Sequence, residues 1–159
     1  MACSSDRHEP AQDRDAARGR LLLRRALREL EEILRQADAL VSRRSCRKSG
    51  RCCQLARTGR VPYLMPLERL WIEQGLSAAS RGWPAARADG ACALLDEGGA
   101  RCSLYRFRPF GCRTYFCSEA SGREPASAAL HRLSARLARV SDSVDPGGEP
   151  LPITRFFGG

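Results

Sequence analysis

Residues 92–117 read Cys92-Ala-Leu-Leu-Asp-Glu-Gly-Gly-Ala-Arg-Cys102-Ser-Leu-Tyr-Arg-Phe-Arg-Pro-Phe-Gly-Cys112-Arg-Thr-Tyr-Phe-Cys117. Three more cysteines stand upstream of this stretch, at Cys46, Cys52 and Cys53. The spacing is C-x5-C-C, then 38 residues, then C-x9-C-x9-C-x4-C. We interpret the seven cysteines as ligands of a thiolate-bound metal or iron–sulfur site, around which the rest of the chain folds.

A metal accounts for these cysteines better than disulfides do. Residues 1–10 lack the apolar segment of a secretory signal peptide, and no apolar run reaches transmembrane length. We therefore expect a cytoplasmic protein without a membrane partner, in which the reducing environment keeps thiols free. Cys52 and Cys53 are adjacent, so a bond between them would be strained. With Cys3 set aside as incidental, an odd number of cysteines remains, which cannot pair completely.

The ligand chemistry favours an iron–sulfur cluster, with zinc as the alternative. Structural zinc sites usually pair cysteines two to four residues apart or add histidine. Only Cys112 and Cys117 have such a spacing, and residues 46–117 contain no histidine. All-thiolate sites suit iron–sulfur clusters at least as well as zinc. Arg108 and Arg113 lie on either side of Cys112, and we expect both to contact the ligands and offset their negative charge rather than remain solvated.

Apolar periodicity predicts helices on both sides of the cysteine-rich segment. The first helix is expected from Ala16 to Arg44, because its leucines step by four and three residues. Pro66 suits the first turn of a second helix, Leu67–Gln74, and Gly75 suits its C-cap. A third helix follows Pro125 and should pack on the first. A short hairpin is expected where residues 96–99 turn between residues 92–95 and 101–105.

These patterns predict a mainly α fold with a small irregular cysteine-rich core, α+β at most. The N- and C-terminal helices would pack around the metal-binding loops. We expect a disordered leader at 1–18, one helical domain at 19–141 with the cysteine core at 46–117, and an irregular, docked tail at 142–159. The leucine repeat covers fewer than three heptads, so we favour a monomer over a homodimer formed through the N-terminal helix.

The formal net charge of +9 raises the question of an anionic partner. All but one of the 27 basic residues are arginine, the exception being Lys48. We interpret this as a compositional background in an arginine-rich sequence, with nucleic acid as the less favoured explanation.

The ordered residues from Cys46 to Cys117 resemble the YkgJ-type cysteine-cluster family. The run Tyr105-x-x-Arg108-Pro109-x-x-Cys112-Arg113-x-Tyr115-x-Cys117 carries much of this resemblance. The family's C-x-x-C-G-x-C-C appears here as Cys46-Arg-Lys-Ser49-Gly50-Arg-Cys52-Cys53, with Ser49 at a usual cysteine position. The resemblance implies a zinc- or iron-chelating domain, often labelled as containing an Fe–S cluster. Flagellin lysine methylases share a similar cluster, which adds methyl transfer as an alternative.

The function favoured by the sequence is a small cytoplasmic metalloprotein that binds an Fe–S cluster or zinc through its cysteines. Two alternatives stay open: an enzyme that uses the cluster for redox or methyl-transfer chemistry, and an arginine-rich adaptor with structural zinc. An exposed acid near the metal, such as Glu68, would favour the enzyme.

Overall fold

The computed structural model describes residues 9–46 and 49–158, with side chains described from residue 14 onward. Within these ranges the helices are α1 (Glu9–Leu40), α2 (Leu55–Thr58), α3 (Pro66–Ala78), α4 (Phe110–Thr114) and α5 (Ser127–Asp142). The strands are β1 (Arg44–Ser45), β2 (Tyr63–Leu64), β3 (Ser121–Gly122) and β4 (Leu151–Pro152). Turns of 3₁₀-helix span Arg51–Cys53, Tyr105–Phe107 and Ile153–Phe156. The predicted mainly α fold with a small irregular core is confirmed. None of the described helices combines the length and apolarity that a bilayer span requires.

The main core lies between α1 and α5, as the two leucine repeats predict. Leu30 and Leu34 from α1 pack with Leu133 and Leu137 from α5, and all four are buried. Leu67 of α3 closes the third side of this core. Burying a leucine stabilises a fold by about 1.5–3 kcal/mol, so this apolar cluster holds the three helices together.

The first helix is longer at its start than the sequence predicts. α1 begins at Glu9, inside the segment expected to be a disordered leader, while residues 1–8, including Cys3, lie outside the described residues. Pro10 falls in the first helical turn, where its missing N–H is tolerated. At its other end α1 stops at Leu40, because Arg44 and Ser45 leave the helix to pair with Gly122 and Ser121 of β3.

A second core lies under the cysteine loops. It includes Leu64 from β2, Ile72 and Leu76 from α3, and Leu94 and Leu104 from the loop segment. These side chains are 6% exposed or less. The cysteine-rich segment therefore packs on an apolar layer of its own. This layer stabilises the segment in addition to any stability that a bound metal provides.

Gly75 corrects the prediction for the second helix. The helix continues past it to Ala78, so Gly75 lies inside α3 rather than at its C-cap. A Cβ atom at this position would lie 2.5 Å from Cγ of Phe107. Glycine is needed here so that the Phe107 ring can pack against the helix, where it also contacts Trp71 with a ring-centroid distance of 5.0 Å.

The tail docks as predicted, but it is more regular than expected. β4 pairs with β2 in antiparallel register, and the Ile153 N–H donates to the Pro62 carbonyl at 2.8 Å. Ile153 is buried, and Phe156 stacks on Trp83 with a centroid distance of 5.1 Å. Pairing with β2, which is distant in the sequence, makes this proline- and glycine-rich tail regular.

Candidate metal centre

Three segments of the chain bring five of the predicted ligands together: Cys52, Cys53, Cys92, Cys102 and Cys112. The first two lie on the 3₁₀ turn Arg51–Cys53, the next two on either side of the turn at residues 96–99, and the last in α4. Each of these thiols lies near enough to at least one other to shift its pKa. We refer to them as the five-cysteine group.

Backbone contacts hold the first two segments of this group together. The Cys92 N–H donates to the Cys53 carbonyl at 2.8 Å. The predicted hairpin is reduced to a single bridge between Leu95 and Cys102, supported by a hydrogen bond from the Ser103 N–H to the Leu94 carbonyl at 2.7 Å. Cys92 therefore lies next to the Cys52–Cys53 turn, and the bridge holds Cys102 opposite Leu95.

Gly50 allows these loops to approach each other. Its φ of +67° is in the left-handed region, as expected for a loop that turns sharply before Cys52. A Cβ atom on Gly50 would overlap the Gly99 carbonyl oxygen. Any larger residue at position 50 would push the Cys52–Cys53 turn away from the loop that carries Cys92 and Cys102.

The Cys52 and Cys53 thiols lie next to each other and influence each other's pKa. Their sulfur atoms are 4.0 Å apart. A hydrogen bond from Cys53 lowers the pKa of Cys52 to about 6, with further help from the positive charges of Arg108 and Arg60. The same hydrogen bond, together with burial, raises the pKa of Cys53. Cys52 is therefore the thiol of this pair that is readily ionised at neutral pH.

The other three thiols are held in the protonated form by burial. Burial raises the pKa of Cys92 to about 11, against a hydrogen bond from the Leu94 backbone that lowers it. Burial also raises the pKa of Cys102, opposed in the same way by the Leu104 backbone. The pKa of Cys112 is raised by burial as well. Because metals bind thiolates, binding at this group would release protons.

Arg108 and Arg113, both predicted to contact the ligands, have different surroundings. The charge of Arg108 lowers the pKa of Cys52 and of Cys102, which places it beside the five-cysteine group. The side chain of Arg113 is 9% exposed and forms an ion pair with Asp38 of α1. It also donates to the carbonyls of Arg106 and Arg108. Arg113 thus fixes the backbone around Arg108 to α1, and its hydrogen bonds go to oxygen rather than sulfur.

Arg60 is a second cation beside the group, which the sequence did not single out. Its charge lowers the pKa of Cys52 and of Cys112. The guanidinium lies 3.8 Å from the centroid of the Tyr115 ring and donates to the Gly111 carbonyl at 3.0 Å. Arg60 therefore anchors α4 next to the thiols. In a sequence with so many arginines, no local signal distinguishes this one.

Glu68 is a buried structural acid rather than an exposed one. Its carboxylate accepts hydrogen bonds from the Met65 N–H at 3.0 Å and the Phe110 N–H at 2.6 Å. These groups lie at the N-terminal ends of α3 and α4, so Glu68 ties together the starts of the two helices and positions Cys112. Burial raises the pKa of Glu68 to about 7, although both hydrogen bonds and Arg113 act in the opposite direction.

The other two predicted ligands are Cys46 and Cys117. Cys46 is exposed and Cys117 is half-buried. Ser49, at the usual cysteine position of the family motif, is exposed. Among the described residues, no group of three or more His, Cys, Asp or Glu side chains is already arranged to hold a metal ion. Ligation by all seven cysteines thus stays a prediction.

The fold and this site define a small helical protein with a thiol-rich centre built from loops. Residues 45–129, more than half of the chain, match a family model described as "CxxCxxCC: Putative zinc- or iron-chelating domain". The chain belongs to this family, and the predicted family resemblance is confirmed. The family description supports metal binding by this chain in general, without deciding between zinc and iron. No curated protein and no solved structure gives a significant match to the chain.

Proposed function

We propose that the five-cysteine group holds an Fe–S cluster. The observation that carries this proposal is that five thiols from three segments lie close enough to shift one another's pKa. Four thiolates satisfy one zinc ion or one cubane cluster, so the group has one sulfur in reserve. When bound, such a cluster would supply one-electron transfer and would cross-link the three segments. A cytoplasmic location, where thiols stay reduced, is part of the proposal.

The charges around the thiols support this assignment. Arg60 and Arg108 lie on the group and favour its ionised forms. The backbone N–H groups of Leu94 and Leu104 do the same for Cys92 and Cys102. Hydrogen bonds to sulfur and nearby positive charge stabilise the electron-rich sulfurs of Fe–S sites and set their reduction potentials.

Zinc is the second candidate, favoured by one distance. Four sulfurs around a tetrahedral zinc at about 2.3 Å lie about 3.8 Å apart. The Cys52 and Cys53 sulfurs are 4.0 Å apart, which matches two ligands of one ion. A zinc site would make the protein a structural or adaptor module, while the Fe–S cluster leaves redox chemistry open.

Analysis of the metal in anaerobically purified protein separates these two candidates. We expect brown protein that contains iron and acid-labile sulfide and has broad sulfur-to-iron charge-transfer absorption. Because the group has one sulfur in reserve, at most one single serine substitution within it should be tolerated, and each of the others should reduce the iron content and the absorption. Cys3→Ser, outside the predicted ligands, is the control and should change neither. Colourless protein that contains one zinc per chain and no labile sulfide would refute the Fe–S proposal.

A further inference from the structure

The outer side of α1 carries a stripe of arginines. Residues 14, 18, 21, 25, 28, 32 and 35 step by four and three, as the core positions do, and five of these seven are arginine. The stripe is offset by two residues from the core positions Leu23, Leu30 and Ala37, which corresponds to about 200° around an α-helix. It therefore faces away from the core. The five arginines, at positions 14, 18, 25, 28 and 35, are exposed.

Most of this charge is not neutralised by the protein itself. Among the described residues, the acidic partner in the stripe is Glu32, which pairs with Arg35 at 2.7 Å. Arg14, Arg18, Arg25 and Arg28 form no ion pair with another described residue. From Arg14 to Arg35 the stripe extends for about 32 Å along the helix. Its unpaired part, from Arg14 to Arg28, extends for about 21 Å and is a surface for an anionic chain molecule.

The stripe continues into a groove of about 760 Å³ between α1 and the Tyr105–Phe107 turn. The far side of this groove is formed by Arg106, Arg108 and Arg113. Three acids also line it: Glu31, Glu32 and Asp38. Two of them are already paired, Glu32 with Arg35 and Asp38 with Arg113. The groove therefore keeps a net positive charge, and Arg113 holds its far wall to α1.

Tyr105 gives the groove an exposed aromatic ring. The side chain is 53% exposed, and the Arg108 guanidinium lies 3.7 Å from the ring centroid. Exposed aromatic rings beside arginines are what proteins use to stack the bases of single-stranded nucleic acids, with cationic side chains following the phosphates. An acidic peptide would make no such use of the ring. A membrane surface would need a continuous apolar face, and the stripe offers only Leu21.

We propose that this arginine track, made of the outer stripe of α1 and the groove beside Tyr105, binds single-stranded nucleic acid. The phosphates would lie along the α1 arginines, and a base would stack on Tyr105. This interaction goes beyond the metal site and does not depend on which metal the cysteines hold. The structure thus gives the positive charge, explained as composition at the sequence level, a defined location.

Binding is tested with the holo-protein and a fluorescein-labelled oligouridylate of about 20 nucleotides, followed by anisotropy at several salt concentrations. The triple variant Arg18→Gln/Arg25→Gln/Arg28→Gln removes three positions of the track. Its matched control, Arg57→Gln/Arg132→Gln/Arg139→Gln, removes three exposed arginines elsewhere. We expect the track variant to bind at least about tenfold more weakly, with the slope of log K against log salt reduced by about 2. The control should bind nearly as well as the native protein.

The role of Tyr105 is tested separately. Tyr105→Ala should weaken binding by about tenfold without changing the salt slope, because base stacking involves no ionic contacts. Tyr105→Trp, which keeps an aromatic ring, should retain the affinity of the native protein. Circular dichroism and thermal melting establish that each variant is folded. Equal losses in the track and control triples would overturn the proposal. So would a polyglutamate of the same length that binds with the same dependence on the track and on Tyr105, since the surface would then attract any polyanion.

Discussion

Glu68→Gln should remove a pH dependence of folding that the native protein carries. Glu68 is 2% exposed, and burial raises its pKa from 4.5 to about 7. Between these pH values the native protein keeps a proton that the unfolded chain has released. Stability due to this group is therefore fully present below pH 4.5 and is lost as the pH rises through 7. The shift corresponds to roughly 3 kcal/mol, at about 1.4 kcal/mol for each pKa unit.

Glutamine stays neutral throughout this range, so the stability of the variant should not fall as the pH rises through 7. Its amide oxygen can accept from only one of the two N–H groups that Glu68 now joins, which costs about 1–3 kcal/mol at low pH. The variant should therefore be less stable than the native protein at about pH 5 and close to it at about pH 8.

The measurement is urea unfolding followed by circular dichroism from about pH 5 to about pH 8, at constant ionic strength and metal content. Both proteins carry the same cysteines, so protons linked to metal binding cancel in the difference between their free energies of unfolding. Glu149→Gln, at an exposed acid, is the control, and its free energy of unfolding should change with pH as that of the native protein does. If the free energies of unfolding of Glu68→Gln and the native protein differ by the same amount across this range, the reasoning is refuted. Glu68 would then have the same pKa in the folded and the unfolded protein.

Three further predictions concern packing. Gly75→Ala should destabilise the protein by about 1–3 kcal/mol in urea unfolding, because its Cβ would overlap an aromatic ring at 2.5 Å. Gly19→Ala, in α1 with no atom within 4 Å of its Cβ, should instead stabilise by up to about 1 kcal/mol, and matching losses at both sites would contradict the argument. Arg113→Ala should cost about 2 kcal/mol because buried hydrogen bonds lose their donor, whereas Arg35→Ala, at an exposed ion pair, should cost under about 0.5 kcal/mol by the same assay. Leu30→Asp should unfold the chain, since Leu30 is fully buried between α1 and α5, and a folded variant of half the native mass in size-exclusion chromatography would instead indicate a dimer.

Local patterns in the sequence determined the helical framework and the type of site. The leucine steps in α1 and α5 depend on the period of a single helix, so they can be recognised without knowledge of any partner. The pairing of these two helices followed because each had one apolar face to bury. The ligand chemistry was equally local, since an odd number of clustered cysteines, two of them adjacent, indicates metal binding rather than disulfides. The left-handed conformation of Gly50 is local too, because it serves a turn within its own loop.

Tertiary structure alone decided how the site is supported. Gly75 was taken for a helix end because the Phe107 ring that requires it lies 32 positions later in the sequence. Arg60 and Glu68 gained their roles from α4, to which they are joined through the Gly111 carbonyl and the Phe110 N–H. The groove that extends the arginine track, too, exists only because the Tyr105–Phe107 turn packs beside α1. Each of these features depends on contacts between segments that are far apart in the chain, and such contacts leave no periodic or local signal in the sequence.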